Sequence, residues 1–148
     1  PQGSPTAARK ALPTATRLWQ LYADLEEALG TVESVQAVYE AALQARVITA
    51  QMMINQATYL AERNHYEDAF RVFEKGVQSF KFPHAREVWR MYLQRIEERF
   101  GKRKLERIRD LYEQVLEEVP EKDCAAFYEA YARCAFPAMR IVCVSVCV

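Results

Sequence analysis

An internal repeat constrains the fold of this chain more than any other feature of its sequence. Three segments follow one pattern of aliphatic, aromatic, Glu, any residue, small or aliphatic, and aliphatic: VYEAAL at 38–43, VFEKGV at 72–77 and LYEQVL at 111–116. Their glutamates, Glu40, Glu74 and Glu113, are 34 and 39 residues apart. This period is typical of helical hairpins that need their neighbours to bury an apolar face.

A second pattern, a pair of residues three positions apart, precedes each of these segments and occurs once more after the last. In chain order the markers are Trp19-x-x-Tyr22, Met53-x-x-Gln56, Trp89-x-x-Tyr92 and Tyr128-x-x-Tyr131. The two Trp-x-x-Tyr pairs are 70 residues apart because one repeat, whose aromatic pair is replaced by Met and Gln, lies between them. Each unit therefore contains two helices, the first with this marker and the second with the glutamate.

Apolar residues recur at steps of three and four, as one face of a helix requires. None of the prolines falls between Thr14 and Phe82, so that stretch can be helical. We predict helices at about 15–29, 33–46, 50–63, 66–80, 84–100, 103–118 and 122–135. The predicted fold is an all-α, TPR-like helical-hairpin repeat solenoid with repeats at about 15–48, 49–82 and 84–120 and a partial repeat at 122–135. Residues 1–14 are predicted to be a flexible segment and residues 136–148 an atypical apolar tail.

Composition excludes several classes of function. Basic and acidic residues number 20 each, so no overall charge favours nucleic acid or an acidic partner. No apolar run approaches the roughly 20 residues that span a bilayer, and the polar start lacks a signal core. We expect an intracellular protein without a membrane contact.

Cys124, Cys134, Cys143 and Cys147 lack metal-ligand spacing, so we expect thiols rather than a zinc site.

Seven aromatic residues at helical spacing are predicted to form the repeat core: Trp19, Tyr22, Tyr39, Phe73, Trp89, Tyr92 and Tyr112. Because the repeat glutamates recur once per unit, we interpret them as structural rather than catalytic, with an arginine or backbone partner; Arg46, Arg71 and Arg109 are candidates. His65 and His84 lie at predicted helix boundaries, and no hydrolase, metalloprotease or phosphate-loop motif is present. We therefore expect no enzyme activity, no cofactor and no small-molecule substrate.

One basic segment, GKRKLERIRD at 101–110, is open to three interpretations. Lys102, Arg103, Lys104 and Arg107 could contact RNA phosphates, could contact a protein partner, or could form the solvated face of a helix start. Positive charge is mildly unfavourable at a helix N-terminus. No aromatic residue is predicted to accompany the cluster as a stacking platform.

The sequence pattern of these units resembles that of the half-a-TPR (HAT) repeat. The residues concerned are Trp19 to Glu26 on a first helix and Val38 to Leu43 on a second. From about Thr16 to Ala132, the order of segments and the phrase GKRKLERIRDLYEQVL resemble the SYF-type pre-mRNA splicing factor and XPA-binding protein family, which is crooked-neck-like. The resemblance covers three repeats and the start of a fourth.

That resemblance implies a nuclear, non-enzymatic scaffold of the spliceosome's Prp-nineteen-associated assembly, linked in animals to transcription-coupled DNA repair. Its partners would be other splicing-complex proteins, with RNA contact not dominant. The alternative is an RNA-binding helical-repeat module that uses residues 102–109. The chain departs from the family at Met53 and Gln56 and from Cys134 onward. Since the family's arrays are far longer, we expect a fragment or a shortened product.

Overall fold

The computed structural model describes the backbone of residues 5–135, and the side chains of residues 15–135 apart from residue 102. This part of the chain consists of α-helices and one short 3-10 helix, Gly101–Lys104. The α-helices are α1 Pro5–Leu29, α2 Val32–Gln44, α3 Ala50–Glu62, α4 Tyr66–Ser79, α5 Ala85–Phe100, α6 Leu105–Glu118 and α7 Glu121–Ala135. The predicted all-α, helical-hairpin repeat class is confirmed. The predicted apolar tail at 136–148 lies outside the described residues.

The predicted helix boundaries agree with the structure to within three residues, except at the start of α1. That helix begins at Pro5, ten residues before the predicted start, so the predicted boundary was wrong. A proline is well tolerated in the first turn, where its missing N–H would have no helical partner. Pro13 does not end the helix, although an internal proline removes one backbone hydrogen bond. The flexibility of residues 1–14 stays a prediction.

The chain divides into two compact units at Lys81 and Phe82. In the first unit α2 packs against α1 and α3, and α3 packs against α2 and α4. The N-termini of two helices are capped by threonine side chains: Thr31 accepts a hydrogen bond from the Ser34 backbone N–H at 3.3 Å, and Thr49 accepts one from Met52 at 3.2 Å. The side chains of this core come mainly from α2, α3 and α4: Val35, Tyr39, Ala42, Met52, Met53, Ala57, Leu60, Phe70 and Phe73.

In the second unit α6 packs against α5 and α7. The core consists of Val88, Trp89, Tyr92, Ile96, Ile108, Tyr112, Val115 and Phe127. Tyr112 is the equivalent of Tyr39 in this unit. It lies 23 residues after Trp89, whereas Tyr39 lies 20 residues after Trp19. The 3-10 helix between α5 and α6 accommodates this longer connection.

Two glycines end first helices for different reasons. Gly101 follows α5 with φ +48°, a conformation in which a side chain would be strained. Gly30 follows α1 without a positive φ, so no left-handed conformation explains the glycine there. A Cβ at Gly30 would lie 2.8 Å from the backbone carbonyl oxygen of Glu26, and 2.4 Å from the side-chain oxygens of Glu26 and Ser34. Glycine is therefore required there by close approach rather than by backbone conformation.

None of the helices in the described part of the chain combines the length and the apolar character needed to cross a bilayer.

Candidate functional site

The structure buries most of the aromatic residues predicted to form the repeat core. Five of the seven are at most 2% exposed: Tyr39, Phe73, Trp89, Tyr92 and Tyr112. Trp19 is half-buried, and Tyr22 is 47% exposed, so the core prediction was wrong for Tyr22. The reason is its position on α1, which packs against α2, whereas α3 lies against both α2 and α4.

The exposed residues of α1 form an apolar surface, which we call the α1 stripe. Its members are Leu18, Leu21, Tyr22, Leu25 and Leu29. Scattered apolar side chains are common on protein surfaces, but a contiguous group on one helix marks an interaction site more often. The described part of the chain exposes only two further large apolar side chains, Leu105 and Tyr128, and these lie on different helices.

A hydrogen bond that the sequence did not predict joins the two helices of the first hairpin. The Tyr39 hydroxyl on α2 donates to the Glu27 Oε1 on α1 at 2.6 Å. In the second unit the Tyr112 hydroxyl on α6 donates to the Glu97 Oε1 on α5. Glu27 and Glu97 both lie eight residues after the tryptophan of their helix, so the two bonds are equivalent by repeat.

The hairpin between these two lacks both members of the pair. Its second helix has Phe73, which carries no hydroxyl, at the tyrosine position, and its first helix has Ala61, eight residues after Met53, at the glutamate position. Both side chains are buried. Donor and acceptor are thus present together or absent together, as expected when an unpaired buried polar group costs free energy. Comparing the three units position by position would have revealed this signal in the sequence.

Burial and the hydrogen bond to glutamate raise the pKa of both tyrosines far above the ordinary value. Burial is the main cause for Tyr39, and the hydrogen bond to Glu27 and the negative charge of that carboxylate add to it. For Tyr112 the causes are again burial first and then Glu97. These hydroxyls therefore remain protonated donors in the folded protein, and they act as links between helices rather than as acids or bases.

The repeat glutamates do not take part in these tyrosine contacts. Glu40, Glu74 and Glu113 are all exposed, on the second helix of each hairpin. Glu40 forms an ion pair at 3.6 Å with Lys75, which lies on α4, rather than with one of the predicted arginines. Since both side chains are more than half exposed, this ion pair contributes little to stability. Arg71 pairs instead with Asp68 at 3.0 Å.

The basic segment lies on the 3-10 helix and the first turns of α6. Arg103 and Lys104 are exposed and Arg107 is half-buried; the side chain of Lys102 lies outside the described residues. Contrary to expectation, an aromatic residue accompanies the cluster. The Lys104 Nζ lies 4.5 Å from the centre of the Phe100 ring, and the Arg107 guanidinium carbon lies 5.5 Å from it.

A groove of about 390 Å³ lies between α5 and α7, the two first helices of the second unit. Its charged side chains are largely paired: Arg86 with Asp123 at 3.2 Å, and Arg90 with Glu87 at 2.8 Å. Leu93, Phe127 and the small residues Ala126 and Ala130 supply apolar lining. Such a mixed, internally compensated surface suits a protein segment better than a small anion.

Metal-ligand chemistry finds no support in the described residues, where no three His, Cys, Asp or Glu side chains come together as ligands. Cys124 and Cys134 are half-buried free thiols, and Cys143 and Cys147 lie outside the described residues. Burial raises the pKa of the Cys134 thiol, and the negative charge of Glu97 raises it further. Cys134 is therefore a poor nucleophile at neutral pH.

The amino-acid sequence of the chain matches a known family. Residues 3–136 match the family model described as the pre-mRNA-splicing factor Syf1/CRNKL1 C-terminal HAT repeat. The pre-mRNA-splicing factor SYF1 of Dictyostelium discoideum is 44% identical over 84% of this chain. Similar proteins are the syf1 homologue of Drosophila melanogaster, 42% identical over 82% of the chain, and human SYF1, 43% identical over 79%.

The chain spans only a small part of these relatives. The matched segment amounts to 15% of the Dictyostelium protein and 14% of the Drosophila and human proteins. The relationship therefore concerns one stretch of repeats within much longer proteins.

Proposed function

Because the chain belongs to the Syf1/CRNKL1 C-terminal HAT repeat family, we propose that it is a non-enzymatic protein-interaction scaffold in pre-mRNA splicing. Its relatives are named pre-mRNA-splicing factors. We place its activity in the nucleus, in the Prp-nineteen-associated assembly, with other splicing-complex proteins as partners. A contribution to transcription-coupled DNA repair follows from the family resemblance alone.

The proposal rests mainly on which apolar side chains are buried and which are exposed. Most of the repeat aromatics are buried and hold the hairpins together, whereas the apolar residues of the α1 stripe are exposed. The groove between α5 and α7 offers a second surface with paired charges and an apolar lining. Helical repeats of this kind bind extended segments or helices of other proteins on such surfaces.

Affinity purification of the tagged chain from nuclear extract, with and without ribonuclease, tests the proposal. We expect mass spectrometry to find splicing-complex proteins in both samples, because protein contacts do not depend on RNA. Absence of these proteins from both samples would refute the scaffold function. Their loss on ribonuclease treatment would favour RNA-mediated association.

The second candidate function is RNA binding by the basic segment, and the position of Phe100 favours it. An aromatic ring beside Lys104 and Arg107 combines the two elements that single-stranded nucleic acid sites use, positive charge and a stacking surface. The combined variant Lys102→Gln, Arg103→Gln, Lys104→Gln should then weaken salt-sensitive RNA affinity and lower its dependence on salt concentration.

A charge-matched control separates this effect from a change in net charge. The variant Arg71→Gln, Lys75→Gln, Lys81→Gln also removes three positive charges, and these three side chains are exposed and belong to the first unit. Equal loss of RNA affinity in the two variants would show non-specific attraction. Retention of affinity in the 102–104 variant would exclude the basic segment as an RNA site.

A further inference from the structure

We propose that the groove between α5 and α7 binds an extended segment of a partner protein that carries an apolar side chain and a carboxylate two residues apart. In this arrangement the apolar side chain lies over Ala126 and Ala130, and the carboxylate pairs with Arg133, three residues that line the groove. The inference deepens the proposed scaffold function, on which it rests, by naming the chemistry of the partner.

The two alanines distinguish α7 from the other first helices. They lie two residues before and two residues after Tyr128, the equivalent of Trp19, Met53 and Trp89. On the other first helices the same two positions hold larger side chains: Arg17 and Leu21, Gln51 and Asn55, and Glu87 and Met91. The repeat pattern therefore does not require small side chains at these positions, and α7 alone among the four first helices has them at both.

The effect of the larger side chains is visible on α3. The Gln51 Nε2 donates a hydrogen bond to the Asn55 Oδ1 at 2.8 Å, so the two amides lie together along the surface of that helix. On α7 the two methyl groups leave this space open.

The open space is large enough for a ligand and has an apolar floor. Its volume is about 390 Å³, within the roughly 300–1,000 Å³ of ligand sites in proteins. Leu93 and Phe127, which are 3% and 5% exposed, form the floor. The groove can therefore take up an apolar side chain.

The charges of the groove are paired at one end and unpaired at the other. Near the starts of the two helices, Arg86 pairs with Asp123 at 3.2 Å and Arg90 pairs with Glu87 at 2.8 Å. Near the end of α7, Arg133 is exposed and forms no ion pair with any residue that the structure describes. An exposed guanidinium beside an apolar groove favours a carboxylate, which it can bind through two parallel hydrogen bonds.

An acid that lines the same end of the groove is engaged elsewhere. Glu97 is half-buried, and its Oε1 accepts the hydrogen bond of the Tyr112 hydroxyl on α6. The positions equivalent to Arg133 on the other first helices hold Asp24, Thr58 and Gln94. The basic side chain and the two alanines thus occur together on α7 and on none of the other three.

The spacing of these residues on α7 determines the spacing in the partner. The midpoint between Ala126 and Ala130 lies five residues before Arg133, which is about 7.5 Å along a helix that rises about 1.5 Å per residue. In an extended segment, residues two apart point to the same side and are separated by about 6.6–6.8 Å. An apolar residue and an Asp or Glu two positions apart therefore match the groove, in either order along the partner.

Selection of phage-displayed random peptides on the full chain tests the inference. We expect the enriched peptides to share an apolar residue and an Asp or Glu two positions apart. A synthetic peptide of enriched sequence then serves as the probe, and fluorescence anisotropy measures its Kd for each variant.

Filling the groove tests the contact with the apolar side chain. Ala126→Gln/Ala130→Asn introduces the side chains that α3 carries at these positions, and it should weaken peptide binding by about tenfold or more. Ala125→Gln/Ala132→Asn is the matched control, because it introduces the same side chains at exposed positions of α7 that do not line the groove. The control should change the Kd by less than about twofold. Circular dichroism melting verifies that both variants are folded.

Charge reversal tests the contact with the carboxylate. Arg133→Glu should weaken binding by about tenfold or more, and a peptide with Lys in place of its acid should recover affinity for this variant while losing it for the unmodified chain. Lys122→Glu reverses another exposed charge of α7, outside the groove, and should have little effect. Because Arg133 is exposed, this comparison decides if Ala126→Gln/Ala130→Asn fails to fold.

Several results would overturn the inference. These are the absence of enriched peptides, a consensus without an acid at this spacing, equal binding to the unmodified chain and to a folded Ala126→Gln/Ala130→Asn protein, or no recovery by the Lys peptide. A dimer that dissociates in Ala126→Gln/Ala130→Asn, measured by analytical ultracentrifugation, would instead assign the groove to a second copy of this chain.

Failure of the inference and failure of the scaffold function are separate results, because peptide selection does not use nuclear extract. If the inference fails and splicing-complex proteins still co-purify with the unmodified chain, the scaffold function stands and this groove is excluded. If the unmodified chain recovers no splicing-complex protein, the scaffold function itself fails.

Discussion

At the scale of single residues, two buried tyrosines of the first unit differ in what their hydroxyls contact. Tyr39 is 2% exposed and donates to Glu27. Tyr59 is 5% exposed, and its buried hydroxyl has no hydrogen-bond partner among the residues that the structure describes. Removing the first hydroxyl breaks a bond to a charged acceptor, whereas removing the second leaves nothing unpaired.

We therefore expect Tyr39→Phe to lower the free energy of unfolding by about 1.5–3 kcal/mol, and Tyr59→Phe to leave it unchanged or to raise it by up to about 1–3 kcal/mol. Urea unfolding followed by circular dichroism measures both. Each variant is the other's control, because the atoms removed and the burial of the ring are the same. Equal losses in the two variants would contradict the role given to the Tyr39 hydrogen bond.

The two tryptophans of the repeat allow a similar comparison for packing. Trp89 is fully buried and its ring stacks on Tyr92 with centroids 6.2 Å apart, whereas Trp19 is half-buried. Trp89→Ala should lower the free energy of unfolding by about 3–5 kcal/mol, and Trp19→Ala by less than half of that. Chemical denaturation of both variants checks the order. A loss under about 1 kcal/mol for Trp89→Ala would remove this residue from the core.

At the scale of helices, the Tyr–Glu contact joins first and second helices in two hairpins and is replaced by Phe73 and Ala61 in the hairpin between them. A double-mutant cycle on Glu27 and Tyr39 measures its strength. Glu27→Ala and Tyr39→Phe should each lower the free energy of unfolding. The loss in the double variant should be smaller than the sum of the two single losses by at least about 1 kcal/mol. Additive losses would mean that the two side chains do not interact across the hairpin.

Helix identity and most of the core could be predicted from the sequence, because both depend on the spacing of apolar residues along one chain. The pattern that marks Tyr39, Phe73 and Tyr112 as core is local, and all three are buried. Tyr22 shows the limit of this reasoning. Its motif matches that of Tyr92, yet Tyr22 is exposed and Tyr92 buried, since burial depends on which helix lies alongside.

The partners of polar side chains were harder to predict than the core. Glu40 contacts Lys75, 35 residues away, and neither residue belongs to a pattern that links them. The Tyr39–Glu27 and Tyr112–Glu97 pairs have a signal in the sequence, because both residues are replaced together, by Phe73 and Ala61, in the middle hairpin. This signal is visible only when the units are aligned. Contacts between helices therefore need the repeat register as well as the local pattern.

At the scale of the whole molecule, each of the two compact units contains one of these raised-pKa tyrosines, Tyr39 in the first and Tyr112 in the second. In the unfolded chain a tyrosine has an ordinary pKa of about 10. Above that pH the unfolded state loses two protons that the folded state keeps. The stability linked to these groups is therefore fully present below about pH 10 and is lost as the pH rises further.

We expect the two tyrosines together to contribute a fall of about 2.7 kcal/mol per pH unit above pH 10, if the units unfold together. Urea unfolding between pH 8 and about pH 11, under reducing conditions, measures this slope. Tyr39→Phe/Tyr112→Phe should remove that part of the slope, and each single variant should remove half of it. If the double variant keeps the full alkaline slope, the two hydroxyls titrate alike in the folded and unfolded states, and neither burial nor the hydrogen bonds to Glu27 and Glu97 hold their protons.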